Sequence, residues 1–206
     1  MKKQEMKRGK TMLITILVVI VSLSIIAWGI IAYLGRSQTL SVLSIEKLEG
    51  DLSLIHLAKP NNMQWKAGAH AKIYLPNSID NPQTASEVVT GASKSKAKDG
   101  ESSRWLTIAS NSNEGEILIL THNSGSPYKK SLTNLPAGSK VELSWLDSSL
   151  STADSNKPFV CFASDVGIAA IRPIIKEELG KRELVLSHFS KGVLVFNNEL
   201  QDSAKN

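Results

Sequence analysis

The sequence predicts a mainly β protein with a smaller α/β part and an N-terminal transmembrane helix. Three patterns predict these parts: an uncharged apolar run at residues 12–34, short alternating apolar runs between residues 38 and 152, and an apolar strand with a helix pattern within residues 157–206. Residues 1–11 form a basic tail. With 206 residues and 42% hydrophobic side chains, the chain can bury a moderate core and is not a disordered protein.

The run from Met12 to Leu34 contains no charged side chain and is long enough, as a helix, to cover a hydrocarbon core of about 30 Å. A cleaved signal peptide is the competing interpretation, but its apolar region spans only about 7–15 residues and ends near small residues. Here the run is longer and ends in Ile31-Ala32-Tyr33-Leu34. We therefore expect a single membrane-spanning helix at 12–34.

Basic residues crowd the N-terminal flank of this run, whereas its other flank has Arg36 and then no Lys or Arg until Lys47. The positive-inside rule then places the N-terminus in the cytoplasm and the C-terminal domain outside the cell membrane. The basic cluster also contributes much of the net charge of +5 and faces anionic lipid headgroups, so we expect the membrane, and no nucleic acid, as a partner. The cluster consists of Lys2, Lys3, Lys7, Arg8 and Lys10.

Cysteine and histidine usage argues against disulfides and metal sites. Cys161 is the only cysteine, so no internal disulfide or paired-thiolate site is expected, and its neighbours Phe159, Val160 and Phe162 favour a buried strand residue. The four histidines lack the spacing of metal ligands, so we expect no metal site. They are His56, His70, His122 and His188.

Residues 39–143 carry strand patterns separated by turn signals. Apolar residues alternate from Thr39 to Ala58 around the turn Glu49-Gly50-Asp51, which predicts two antiparallel strands. Residues 77–103 are polar and include Lys94, Lys96 and Lys98, a composition typical of a solvated loop. Further strands are predicted within Trp65–Pro76, from Arg104, at Glu116–His122 and around Val141.

The C-terminal residues predict a βαβα order. Residues 158–163 are a compact apolar run of the kind that a buried parallel strand requires, and residues 164–180 combine a turn, a helix pattern and a glycine stop. A second strand is predicted at Glu183–His188 and a final short helix at Val193–Ala204.

Three short motifs follow one another along the β part. They are Arg104-Trp105-Leu106-Thr107, a turn at Gly125 that leads to Leu132, and Pro136-Ala137-Gly138 before the last strand. Together with the βαβα pattern, this order resembles the ferredoxin reductase-type FAD-binding family, which includes ferredoxin-NADP reductases and ferric reductase-like proteins. The resemblance implies a Greek-key antiparallel β-barrel at 38–152 and an incomplete, Rossmann-like βαβα unit at 157–206.

The resemblance also implies which residues would hold FAD. Arg104 would meet a flavin phosphate, and Thr107 would face the isoalloxazine ring as the catalytic residue. Leu106 stands where the family has Tyr or Phe against the flavin, with Ile108 following. Lys129 stands at the family's hydroxyl position, where an ammonium can still act as a point-charge partner for phosphate. Lys130 and Ser131 complete the implied cofactor-binding set.

The nicotinamide site of the family is altered in this sequence. Relatives carry two adjacent glycines and a third shortly after their first Rossmann strand, so that backbone amides approach the pyrophosphate. Here only Gly167 remains, and Ser164 and Asp165 occupy the first two positions. A carboxylate beside that site would repel the ligand, so we do not expect NAD(P) binding.

These expectations lead to a membrane-anchored flavin-binding oxidoreductase module of the ferredoxin reductase type, which transfers electrons through bound flavin and works with a redox or completing protein partner. An alternative is a degenerate, non-catalytic reductase-like accessory or interaction subunit, since Leu106, Lys129 and Asp165 depart from the family pattern. A truncated or split reductase is a third interpretation. The sequence does not distinguish FAD from FMN or identify the electron donor and acceptor.

Overall fold

The computed structural model describes residues 15–30, 37–75, 102–148, 150, 152 and 156–205. Helix α1 covers residues 15–30, and the other residues of the predicted 12–34 segment lie outside the described ranges, as do the basic tail and most of the predicted loop at 77–103. Within the described ranges, no helix is long and apolar enough to cross a membrane. Residues 37–206 form a compact unit of their own.

Six antiparallel strands form one sheet in the order β4-β3-β6-β1-β2-β5. The two ends of this sheet meet where Ile108 bridges Ile119 and the Ala109 N–H donates to Leu118 O at 2.7 Å. The sheet is therefore a nearly closed barrel, which confirms the predicted antiparallel barrel. Its strands are β1 (Gln38–Lys47), β2 (Leu52–Ala58), β3 (His70–Tyr74), β4 (Ser103–Thr107), β5 (Glu116–His122) and β6 (Lys140–Asp147).

Local sequence explains the first hairpin. Gly50 and Asp51 both have positive φ, 72° and 61°, as the tight turn between β1 and β2 requires, and these two residue types adopt that conformation more readily than most. In β2, Ile55 and Leu57 fill the barrel core, whereas Leu52 and Leu54 point to the opposite face and are also buried. This strand is therefore apolar on both faces because each face meets a different core.

The C-terminal residues form α/β elements, as predicted. Strands β7 (Phe159–Ser164) and β8 (Leu184–Phe189) are parallel, and α3 (Ile168–Glu178) connects them after a short 3-10 turn. Helix α4 (Asn197–Lys205) begins later than the predicted Val193. Phe196 has a φ of 64°, a conformation that a right-handed helix excludes, so the helix starts only after this residue.

A second core joins the barrel to this C-terminal unit. Leu52, Leu54 and Leu120 contribute from the barrel strands, and Ala109 follows β4. Residues of the C-terminal unit pack against them: Ala163, Ile168, Ala169 and Val195. The C-terminal unit therefore lies against the barrel at the point where β4 ends.

Candidate functional site

The arginine motif lies in β4, and its side chains divide between two faces of that strand. β4 pairs with β3 so that Arg104 is opposite Ile73 and Thr107 is opposite His70. Because successive strand side chains point to opposite faces, Arg104 and Leu106 share the face of the barrel interior and Thr107 lies on the outer face. Arg104 and Thr107 are both half-buried. The two polar motif residues therefore flank β4 from opposite sides.

Leu106 and Ile108 belong to the barrel core, where they are 8% and 0% exposed. The Ile108 N–H is also used, since it donates to Ala69 O at 2.9 Å. In this structure the two residues hold the strand in place through packing and the backbone ladder. Contact between their side chains and a cofactor stays a prediction, and it would require the barrel core to open.

A short helix, α2 (Pro127–Thr133), lies beside this strand. Proline at its first position has a φ that suits a helix, and Ser126 caps the helix by accepting a hydrogen bond from the Lys129 N–H at 3.3 Å. Tyr128 is 2% exposed, and its hydroxyl donates to Ile73 O at 2.8 Å. This bond fastens α2 to β3, the neighbour of β4.

Arg104 and Lys129 both lie next to Tyr128, Arg104 over its ring and Lys129 as the following residue, and are called here the Arg104–Lys129 pair. The Arg104 guanidinium carbon lies 5.4 Å from the centre of the Tyr128 ring, and Lys129 Nζ donates to Thr121 Oγ1. Burial, and then the positive charge of Arg104, lower the pKa of Lys129. No carboxylate among the described residues forms an ion pair with either cation. An anionic ligand would remove the repulsion within the pair.

Lys130 and Ser131, the other predicted phosphate contacts, are exposed on α2. They follow Lys129 directly, and each residue of a helix is rotated by roughly 100° from the one before it. Their side chains therefore point in other directions than that of Lys129. The structure brings Arg104 and Lys129 together and leaves Lys130 and Ser131 apart from this pair.

The outer face of β4 carries a group that sequence reasoning did not single out. The rings of His70 and Trp105 meet edge to face, with centroids 5.0 Å apart, and Trp105 is 50% exposed. His70 Nε2 lies 3.8 Å from Asp147 Oδ2. Thr107 is the cross-strand partner of His70. The alternation of β4 could have revealed Trp105, because it shares a face with Thr107.

In the turn after β7, the Asp165 carboxylate accepts hydrogen bonds from the residues that follow β8. Asp165 has a φ of 45°, and its Oδ1 accepts hydrogen bonds from the Lys191 N–H and Ser190 Oγ, both at 3.1 Å. The Lys191 N–H, followed by Ser190, lowers the pKa of this carboxyl group. Asp165 therefore ties the ends of β7 and β8 together at the position where the sequence lacks paired glycines.

A buried arginine joins the barrel to the C-terminal unit, and no local sequence motif predicts this contact. Arg172 on α3 is 3% exposed and donates to Ala109 O at 2.7 Å. Glu114 and Glu199 each accept two hydrogen bonds from its guanidinium group, and Lys176 lies 3.3 and 2.8 Å from the same two carboxylates. These four charged residues, Glu114, Arg172, Lys176 and Glu199, are called the Arg172 network.

Within the described residues, the two-stranded sheet is covered on one face only. Val160 and Val185, and likewise Phe162 and Phe189, lie on its other face, where they are 52%, 46%, 74% and 61% exposed. On the covered side, a cavity of about 780 Å³ lies between α3, β8 and α4, and none of the predicted site residues lines it. Parallel sheets are normally buried on both faces, so the bare face is a candidate contact surface.

Comparison with known proteins finds similarity in structure but not in sequence. No protein-family model matches the chain, and no curated protein matches it. Among solved structures, phthalate dioxygenase reductase is similar with a TM-score of 0.59 at 19% identity, over 80% of this chain and 48% of that one. A ferredoxin-NADP+ reductase from Neisseria gonorrhoeae, solved with FAD and NADP, is similar with a TM-score of 0.63 at 16% identity, over 81% and 63%.

A flavohemoglobin from Malassezia yamatoensis, solved with FAD and haem, is similar with a TM-score of 0.62 at 16% identity, over 82% of this chain and 42% of that one. The chain thus spans between about two fifths and two thirds of the lengths of these three proteins. The six-stranded antiparallel barrel, followed by a short parallel α/β unit, has a fold similar to that of phthalate dioxygenase reductase and of the ferredoxin-NADP+ reductase over about four fifths of this chain.

Proposed function

We propose that this chain is a membrane-anchored, FAD-binding electron-transfer module of the ferredoxin reductase type. The Arg104–Lys129 pair is the observation that carries the proposal. Two adjacent, partly buried cations without a described carboxylate partner suit a ligand with two phosphate groups. The pyrophosphate of FAD carries two negatively charged phosphate groups. Arg104 would bind it through its planar donor fork, and Lys129 would contribute a point charge.

The chain's own residues suggest how the ring end of the ligand would be held. A bound flavin would supply the one- and two-electron chemistry, and the protein would supply position and hydrogen bonds. Thr107 lies on the outer face of β4, where its hydroxyl can donate to a polar edge of the ring. On that face, the aromatic surface beside Thr107 comes from Trp105, which is half exposed, and not from Leu106 in the core.

We propose that the C-terminal unit does not take NAD(P). The Asp165 carboxylate occupies the carboxyl ends of β7 and β8 and is held there by Ser190 and Lys191. A pyrophosphate at this position would meet a negative charge, and the Lys191 N–H would already be donating to Asp165. Electrons would then arrive from a protein partner. Iron–sulfur or haem proteins, which carry single electrons, are the chemical class of partner that we propose.

The membrane anchor at 12–34 and the outward orientation remain part of the proposal, supported by the uncharged run and the basic flank. Protease treatment of intact cells tests the orientation. Cleavage of the domain at 37–206 from outside would support it, and protection of this domain until the cells are lysed would contradict it.

Flavin titration of the full-length protein in detergent tests the proposed function. We expect quenching of FAD fluorescence with saturation at micromolar protein and a red shift in the visible flavin bands. FMN, which carries a single phosphate group, should bind more weakly because it leaves one cation of the Arg104–Lys129 pair unpaired. Absence of binding at micromolar FAD would contradict the proposal.

The bare face of the two-stranded sheet favours a second candidate function, a non-catalytic interaction subunit. Four apolar side chains on one face, two of them phenylalanine, are unusual for a surface that stays in water. Chemical crosslinking in membranes would separate the candidates. A specific partner that is lost in Phe162→Ser, in a protein that binds no flavin, supports the second function.

A further inference from the structure

The guanidinium group of Arg172 is buried, and all of its hydrogen-bond donors are used, unlike those of a typical arginine in a surface ion pair. Its five N–H donors all have acceptors: Nε reaches Glu199, Nη1 reaches Ala109 O and Glu114, and Nη2 reaches both carboxylates. The distances lie between 2.6 and 3.0 Å. Because a buried guanidinium needs every donor satisfied, this arrangement fixes the side chain in one position.

On the barrel side, Arg172 donates to the backbone carbonyl group of Ala109. This residue belongs to the segment 107–111, which begins with Thr107, the proposed contact of the flavin ring. Ala109 lies two residues after Thr107, and its own N–H donates to Leu118 O at 2.7 Å. The next residue is held as well, since Trp65 Nε1 donates to Ser110 O at 2.8 Å. The segment is therefore bound to β5 on one side and to α3 on the other.

Glu114 connects the same segment to Arg172 a second time. Its Oε1 accepts from the Asn111 N–H at 2.6 Å while it also pairs with the guanidinium group. Burial raises the pKa of Glu114, but Arg172 and Asn111 donate hydrogen bonds to its charged form and bring the pKa below its ordinary value. Residues 109–114 thus close a hydrogen-bonded loop around Arg172.

We infer that Arg172 is a positioning residue that holds Thr107 and the end of β4 in place for the cofactor. The inference rests on the proposed flavin function. It assigns a role to the C-terminal unit that needs no nicotinamide nucleotide: the unit supports the flavin segment through one buried arginine. Arg172 acts on the segment through the Ala109 carbonyl group, which accepts a hydrogen bond from its Nη1.

Arg182 provides a matched control in the same unit. Its side chain is 6% exposed, Nε donates to Glu178 at 2.7 Å, and its guanidinium carbon lies 5.0 Å from the Phe159 ring. Arg172 is 4% exposed by the same measure and lies 4.8 Å from the Phe196 ring. The two arginines share burial, a carboxylate and an aromatic contact, but Arg172 also donates to Ala109 O, whereas the described contacts of Arg182 are with Glu178 and Phe159.

The test compares Arg172→Met with Arg182→Met in the full-length protein. The inference predicts that amide exchange of residues 107–111 becomes at least about tenfold faster in Arg172→Met, because a charge-assisted bond is lost there, and changes little in Arg182→Met. Glu199→Gln is a milder second variant that keeps the bonds to Ala109 and Glu114, and it should show a smaller increase in the same segment. Equal exchange in both arginine variants would overturn the inference.

Flavin binding gives the second readout. In Arg172→Met, FAD affinity should fall by about tenfold, with a changed visible circular dichroism of the bound flavin, whereas Arg182→Met should keep both. If Arg172→Met only lowers the unfolding temperature and leaves the bound-flavin spectrum unchanged, Arg172 is structural and the inference is wrong. If the wild type binds no flavin, the proposed function fails separately, and the exchange data alone decide whether Arg172 orders the segment.

Discussion

The molecule contains two arginine–lysine pairs with opposite surroundings. Arg104 and Lys129 lie beside each other with no described carboxylate partner, and the charge of Arg104 contributes to the lowered pKa of Lys129. Arg172 and Lys176 lie between Glu114 and Glu199, which balance their charge within hydrogen-bonding distance. The same two residue types are therefore neutralised in one place and left unneutralised in the other.

This difference separates a structural role from a binding role. A buried cation that has its carboxylates stabilises the fold only as long as the whole set is present, since loss of one member leaves an uncompensated charge. A cation pair without partners destabilises the empty protein slightly and favours an anion that can occupy the site. We therefore expect substitutions in the two pairs to affect different measurements.

The largest expected effect is on stability, from Glu114→Ala. This change leaves Arg172 and Lys176 with one carboxylate and should lower the free energy of unfolding by about 3 kcal/mol. Urea denaturation followed by circular dichroism measures the change. Glu183→Ala, at an exposed glutamate, is the control and should stay within about 0.5 kcal/mol of the wild type. A Glu114→Ala protein as stable as this control would show that the Arg172 network is not a stabilising unit.

The second prediction concerns the unneutralised pair. Arg104→Met should weaken FAD binding by about 10- to 100-fold, because hydrogen bonds between a charged donor and phosphate contribute about 1.5–3 kcal/mol each. The loss should shrink as salt rises, since salt screens the wild-type attraction. Lys181→Met, at an exposed lysine in the C-terminal unit, controls for net charge. An equal loss of affinity in both variants would indicate nonspecific attraction instead of a site.

The third prediction is the pH dependence of stability. The pKa values of Glu114 and Glu199 are lowered below 4.5 in the folded protein, because hydrogen bonds from Arg172, together with the positive charges of Arg172 and Lys176, outweigh the effect of burial. The unfolded state therefore binds protons first, and the stabilisation is present above about pH 4.5 and lost as pH falls through the folded-state values. Urea midpoints measured between about pH 3 and 7 should fall more steeply in the wild type than in Glu114→Ala.

The sequence predicts most of the strands and helices because the signals for them, apolar alternation and turn residues, lie within or next to each element. Alternation and turn residues predict β1, β2 and β5, and the apolar run at 158–163 predicts β7. The Arg172 network could not be predicted in this way, since Glu114 and Glu199 lie 58 and 27 residues from Arg172 and meet it only through packing. The positive φ of Phe196 is equally invisible in the sequence, because nothing near it requires a left-handed residue.

In the candidate site, too, the sequence predicts individual residues but not which of them lie close together. The order of motifs singled out Arg104 and Thr107, but the alternation of β4 separates them onto two faces, and Leu106 turns into the core. Lys129 was identified by its place in a motif, whereas its closeness to Arg104 depends on how α2 is fastened through Tyr128. The sequence therefore indicates which residues are candidates for the site, and the tertiary structure determines which of them meet.

The smallest expected effect compares the two lysines in the protein without ligand. Lys129→Met should leave the free energy of unfolding unchanged or raise it by about 0.5 kcal/mol, because it removes a charge that is desolvated and repelled by Arg104. Lys176→Met should lower it by about 1 kcal/mol, because Glu114 and Glu199 then share one cation. Both replacements keep most of the aliphatic side chain, so the difference between them reports charge rather than packing. If Lys129→Met destabilises the protein as much as Lys176→Met does, the hydrogen bond from Lys129 Nζ to Thr121 Oγ1 outweighs the repulsion by Arg104, and the distinction between the two pairs is wrong.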